Sequence, residues 1–140
     1  MTEVVVSKEI AVSAAKVWEK LSSFKGIEEF SPIERSVTQG QGEGAKRTCY
    51  MPDGAAIHEV LSRLDAPTME MEYKILEGPF PIEGYQSTIK VQQLLENRCK
   101  VTWGCQFVCD ASVEKEMSSL FEGFYHVIID GLEGLIKNQN

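Results

Sequence analysis

The stretch from about Val113 to Lys137 sets Met117, Leu120, Phe121, Phe124, Ile128, Leu132 and Leu135 along one stripe of a long helix. A stripe that long must be covered by something. The residues before it supply little helix and much alternation. Met69, Met71, Tyr73 and Ile75 alternate with Glu70, Glu72 and Lys74. Tyr85, Ser87, Ile89 and Val91 alternate with Gln86, Thr88, Lys90 and Gln92. Val101, Trp103, Cys105, Phe107 and Cys109 alternate with Lys100, Thr102, Gly104 and Gln106. Half-buried strands have this pattern, one apolar face and one polar face.

The remaining elements follow from local signals. Residues 3–12 are valine-rich and predict a strand. Ser13 has the character of an N-cap, and "AAKVWEKLSSF" carries Val17, Leu21 and Phe24 at helical spacing, ended by Gly26. "IEEF" predicts a short second helix that stops before Ser31-Pro32, because the residue preceding proline avoids helical backbone. Residues 33–40, 45–51 and 55–65 predict three strands, separated by the turns "QGEG" and "PDG". The order is strand, two short helices, six strands, long helix.

One antiparallel sheet with an apolar face and one long amphipathic helix have a simple joint solution, in which the sheet curls around the helix. The expected fold is α+β, a seven-stranded curved antiparallel sheet in a single domain over residues 1–140. A curved sheet and a single helix cannot meet everywhere. The gap predicts an internal apolar cavity, rimmed at its mouth by strand-connecting loops.

Composition narrows the partners. The formal net charge is -7, and an acidic surface repels phosphate backbones, so nucleic acid is excluded. No apolar run is long enough to span a bilayer, and the N-terminus lacks a secretory pattern. Cys49, Cys99, Cys105 and Cys109 form no Cys-x-x-Cys pair, and the two histidines, His58 and His126, lie far apart in sequence, so a zinc cluster lacks tight spacing. The expectation is reduced thiols in a cytoplasmic protein, with no metal and no cofactor.

The segments "VSAAKVWEKLSSFKGIEEFSPI", "GEGAKRTCYMPDGAAIHEVLSRLD", "YKILEGPFPIEGYQSTIKV", "CKVTWGCQF" and "FEGFYHVIIDGLEGL" together cover nearly the whole chain. In this order they resemble the helix-grip superfamily of START-like and birch-pollen-allergen-like domains (SRPBCC). The details are most similar to its bacterial polyketide cyclase/dehydrase branch. Plant abscisic acid receptors are similar in the same places. In that group the loop matching "MPDGA" is a gate and the loop matching "EGPFPIEGY" is a latch. The resemblance implies a pocket mouth formed by Pro52, Asp53 and Gly54 on one side and Gly78, Pro79, Phe80 and Pro81 on the other. It also implies a homodimer through the gate-side surface. The receptors' pocket lysine falls near Ser31, so abscisic acid is not the implied ligand.

Strand parity supplies the site residues. Arg47, Cys49 and Met51 share one parity, and Glu59 shares the parity of Ile57. The "PDG" turn centred on Asp53 makes Cys49 face Ile57 and Arg47 face Glu59. This predicts a buried Arg47–Glu59 pair as the polar anchor of the cavity or, with nearly equal weight, as a strut of the hairpin. Glu59 also matches a receptor pocket glutamate that binds ligand through water. The expected pocket residues are Arg47, Cys49, Met51, Glu59, Tyr73, Phe80, Tyr85, Ser87, Trp103, Cys105, Phe121 and Phe124. The plainer reading of Tyr73 and Trp103 is core aromatics with satisfied polar tips, and of Cys105 a small hydrophobe. His58 is expected on the outer face.

Three functions compete. The favoured one is a non-catalytic carrier or sensor of a small hydrophobic or amphipathic molecule. The alternative is a cyclase/aromatase or dehydratase, for which Glu59, Tyr73 and Tyr85 are the candidate acid–base groups. A protein-interaction module would need a large exposed apolar patch, which strict alternation opposes.

Overall fold

The architecture is that of a computed structural model and is described for residues 1–139. Seven strands form one antiparallel sheet: β1 (Thr2–Ile10), β2 (Arg35–Gln39), β3 (Lys46–Tyr50), β4 (Ala56–Asp65), β5 (Glu70–Glu77), β6 (Ile82–Leu95) and β7 (Arg98–Cys109). Their spatial order is β1-β7-β6-β5-β4-β3-β2, so the sheet is open with β1 and β2 at its edges. Helix α1 (Ala14–Ser22) and the 3₁₀ turn η1 (Ile27–Glu29) follow β1, and α2 (Ala111–Asn138) closes the chain. This is the helix-grip arrangement.

Each local signal has a structural counterpart. Ser13 Oγ accepts the Lys16 backbone N–H at 3.3 Å, capping α1. Helix α1 ends at Ser22, two residues earlier than its apolar spacing suggests. Phe24 takes a left-handed conformation (φ 59°), and the turn aims its ring into the core. Met69 is likewise left-handed (φ 54°), so β5 begins at Glu70 and Met69 belongs to the preceding turn.

The loop between β5 and β6 is shorter than the sequence suggests, because β6 already pairs with β7 at Ile82. Between Glu83 and Gln86 the ladder carries one extra residue on β6. Gly84 occupies that bulge with φ 64°, a conformation glycine adopts without a Cβ clash. The bulge lets Ile82 and Tyr85 both turn inward, although they are three residues apart.

Helix α2 buries Met117, Phe121, Tyr125, Ile128, Ile129, Leu132 and Ile136. The buried stripe is therefore rotated from the expected one: Leu120 is 44% exposed, while Tyr125 is 1% exposed. Each fully buried Ile or Leu contributes about 1.5–3 kcal/mol relative to exposure. The backbone of α2 runs closest to β1 and β7. Lys8 pairs with Asp130, and Glu133 accepts the Ala11 N–H at 2.6 Å, pinning the helix to that side. Towards β3, β4 and β5 the helix stands away from the sheet, and the gap is bridged by side chains alone.

Candidate functional site

Two cavities lie against the inner face of the sheet, the larger of them in that gap. The larger is about 70 Å³ and is lined from the sheet by Met51, Ile57, Glu59, Tyr73, Ile75 and Tyr85. Ile27, Ile33 and Phe80 close its side, and Leu120, Phe121, Phe124 and Tyr125 come from α2. The smaller is about 10 Å³, room for about one water molecule. It lies beneath α1, bordered by Phe24, Arg47, Tyr73 and Trp103 among others. Ile27 and Tyr73 border both cavities.

The β3–β4 register pairs Cys49 with Ile57 and Arg47 with Glu59. Arg47 Nε donates to Glu59 Oε1 at 2.7 Å, and the two residues are 6% and 7% exposed. The guanidinium lies 3.9 Å over the Phe24 ring and 5.4 Å from the Tyr73 ring. Burial alone would lower the Arg47 pKa, but the Glu59 carboxylate, with Cys49 and Tyr73 beside it, raises it on balance. Cys49 Sγ also donates to Glu59 Oε1, at 3.5 Å. The pair stands between the cavities, with Glu59 on the larger and Arg47 on the smaller.

The other polar groups are uncharged. Tyr85 and Tyr125 share a hydroxyl–hydroxyl hydrogen bond at the back of the larger cavity. Burial raises both well above the ordinary tyrosine value. Burial also pushes Tyr73 up to about 12, and its hydroxyl accepts Trp103 Nε1–H at 3.2 Å. Phe121 ties the mouth to the core, with its ring 5.4 Å from Phe80, 5.1 Å from Tyr85 and 5.4 Å from Phe107.

Met51, Glu59, Tyr73, Phe80, Tyr85, Phe121 and Phe124 thus come together around the larger cavity. Arg47 and Trp103 reach only the smaller one. Cys49, Ser87 and Cys105 line neither. Cys49 is fully buried against Glu59, and Ser87 is turned onto the Gly104 carbonyl at 2.8 Å. Cys105 packs within the core.

The mouth also differs in detail. Pro52, Asp53 and Gly54 are exposed and stop short of the cavity, because Asp53 Oδ1 accepts the Ala55 N–H at 2.9 Å and closes a tight turn. Met51 is the lip on that side. On the other side Gly78, Pro79 and Pro81 face outward, and Phe80 alone reaches in. His58 is exposed and bonds Thr48 Oγ1. Tyr125, Leu120 and the isoleucines at 27, 33, 57 and 75 also line the cavity but are not among the expected pocket residues, although parity places Ile57 and Ile75 on inner faces. A polar-tipped aromatic beside Phe124 on the helix was the available signal for Tyr125.

The sequence profile of the polyketide cyclase / dehydrase and lipid transport family matches residues 1–137. The chain belongs to this family. Among curated proteins none matches the sequence significantly. Solved structures resembling this family member include XoxI from Bacillus cereus, at 27% identity and a TM-score of 0.88 over 100% of this chain and 99% of that one. A protein from Bacillus thuringiensis is 28% identical, with a TM-score of 0.85 over 95% of this chain and 97% of that one. Norcoclaurine synthase from Thalictrum flavum, in complex with dopamine and hydroxybenzaldehyde, is 16% identical. Its TM-score is 0.80 over 99% of this chain and 88% of that one, a likeness of fold alone. Among the described residues no helix is long and apolar enough to cross a membrane.

Proposed function

We propose that the protein is a non-catalytic carrier or sensor of a small hydrophobic or amphipathic molecule, held in the larger cavity, in the cytoplasm. The observation that carries this reading is the lining: apolar and aromatic side chains surround one carboxylate, Glu59. Norcoclaurine synthase, similar in fold, was solved with two aromatic molecules bound, so this architecture accommodates rings.

At about 70 Å³ the cavity is under half the volume, about 150 Å³, of an engineered cavity that binds benzene. Binding therefore requires the lips to part. Phe80 and Met51 are half-buried side chains on turns, whereas Phe121 behind them is 4% exposed and packed on four rings. The lips are the cheaper elements to move.

The rival reading, a cyclase or dehydratase, places proton transfer on Glu59 or Tyr85. Burial holds Tyr85 neutral far above neutral pH, which suits a hydrogen-bond donor better than a base.

Native mass spectrometry of freshly purified protein tests the proposal. A co-purified small molecule of stoichiometric mass, lost on Phe80→Ala together with Phe124→Ala, is the expected result. Chemical conversion of that molecule on incubation would overturn the non-catalytic reading.

A further inference from the structure

We infer that the molecule held in the larger cavity ends in a hydrogen-bond donor, an amine or a hydroxyl, and is not a carboxylic acid. This rests on the cavity-binding reading above and narrows it to a ligand class.

The argument starts from the two oxygens of Glu59. Arg47 Nε and Cys49 Sγ both donate to Oε1. Oε2 has no hydrogen-bond partner among the described residues. None of their unpartnered side-chain oxygens is sealed away from water-sized space, so Oε2 keeps accessible surface, and the cavity that Glu59 lines is the larger one. An open acceptor in an apolar chamber is best satisfied by a donor, and a ligand that leaves it bare forfeits a hydrogen bond to a charged group.

The surroundings exclude the opposite chemistry. Among the described residues lining this cavity Glu59 is the one charged group, and no lysine or arginine joins it. Arg47 does not line this cavity. Its guanidinium lies 3.9 Å over the Phe24 ring and borders the smaller cavity. A ligand carboxylate would stand against Glu59 with only the neutral hydroxyls of Tyr73, Tyr85 and Tyr125, and no cation, among the described lining residues to offset it. Like charges at close range in a medium poorer than water repel strongly.

Three naphthalene probes that differ in one group test this on the wild-type protein: 1-naphthylmethylamine, 1-naphthalenemethanol and 1-naphthoate, followed by probe fluorescence. The amine and the alcohol are expected to bind roughly tenfold or more tightly than the naphthoate. The net charge of -7 favours the amine from outside, so the neutral alcohol is the deciding comparison, and its advantage must survive high salt. Glu59→Gln, which keeps the side-chain shape, is expected to shrink the gap between alcohol and naphthoate. Naphthoate binding as tightly as the alcohol in the wild type would overturn the donor assignment while leaving cavity binding intact. If none of the three binds, both readings fall.

Discussion

Arg47 and Glu59 face each other across the β3–β4 hairpin, Nε to Oε1 at 2.7 Å, with the Arg47 guanidinium 3.9 Å over the Phe24 ring. Two charges this deeply buried are tolerated because each offsets the other's lost hydration. The relationship makes the hairpin, the α1–η1 turn and the cavity wall interdependent.

Removing one partner should therefore cost far more than removing both. Glu59→Ala or Arg47→Ala is expected to lower stability by about 3–5 kcal/mol, since either leaves a bare buried charge. Arg47→Met combined with Glu59→Leu should recover much of that loss. Urea denaturation of the three variants decides it. Additive losses in the double variant would show that the pair is not coupled.

Two glycines of α2 should respond to alanine with opposite signs. A Cβ on Gly131 would overlap the Phe30 carbonyl oxygen, so the helix approaches the end of η1 closely only because that atom is missing. Gly131→Ala should destabilise by about 3 kcal/mol. Gly134 has nothing within 4 Å of the same position, and Gly134→Ala should stabilise by about 0.5–1 kcal/mol through helix propensity. Equal effects at the two sites in thermal melts would contradict the close approach.

Alkali should unfold the protein through its tyrosines. Burial pushes Tyr73 up to about 12 and raises Tyr85 and Tyr125 as well, whereas tyrosines in the unfolded chain titrate near about 10. The folded pKa values lie above the unfolded ones. Their contribution to stability is thus fully present below about pH 10 and is lost as pH rises through the folded values. Phenolate absorbance should show these three tyrosines ionising together with the loss of far-ultraviolet ellipticity. Smooth ionisation of all the tyrosines in a still-folded protein would refute the burial.

All four cysteines are free, but they should differ in reactivity. Burial pushes Cys99 and Cys105 up to about 11 and raises Cys49, so little thiolate exists near neutral pH. Cys109 is half-buried at the end of β7. Ellman's reagent at mildly alkaline pH should label Cys109 first in the native protein and all four residues after denaturation. Labelling of Cys49 at the rate of Cys109 would show that the cavity wall opens readily.

What the sequence determined by itself was everything governed by short-range geometry. A three-residue turn at Pro52–Gly54 leaves one register for its hairpin, and that register seats Arg47 opposite Glu59. Alternation likewise told inward from outward along β5, β6 and β7, because a strand has only two faces. What only the tertiary structure decided was where those faces meet matter and where they meet a void. Periodicity on α2 marks an apolar side, yet whether Leu120 or Tyr125 turns inward depends on how the helix lies over β1 and β7. Ser87 shares the inward parity of Tyr85 but is spent on the Gly104 carbonyl, a partner on a neighbouring strand. Phe24, read as a helical residue, became the platform under Arg47 because the chain breaks helix at Ser22 and turns left-handed. Cavity size depends on how side chains from distant segments fail to touch, and no local rule of spacing encodes a gap between surfaces that only the folded chain brings together.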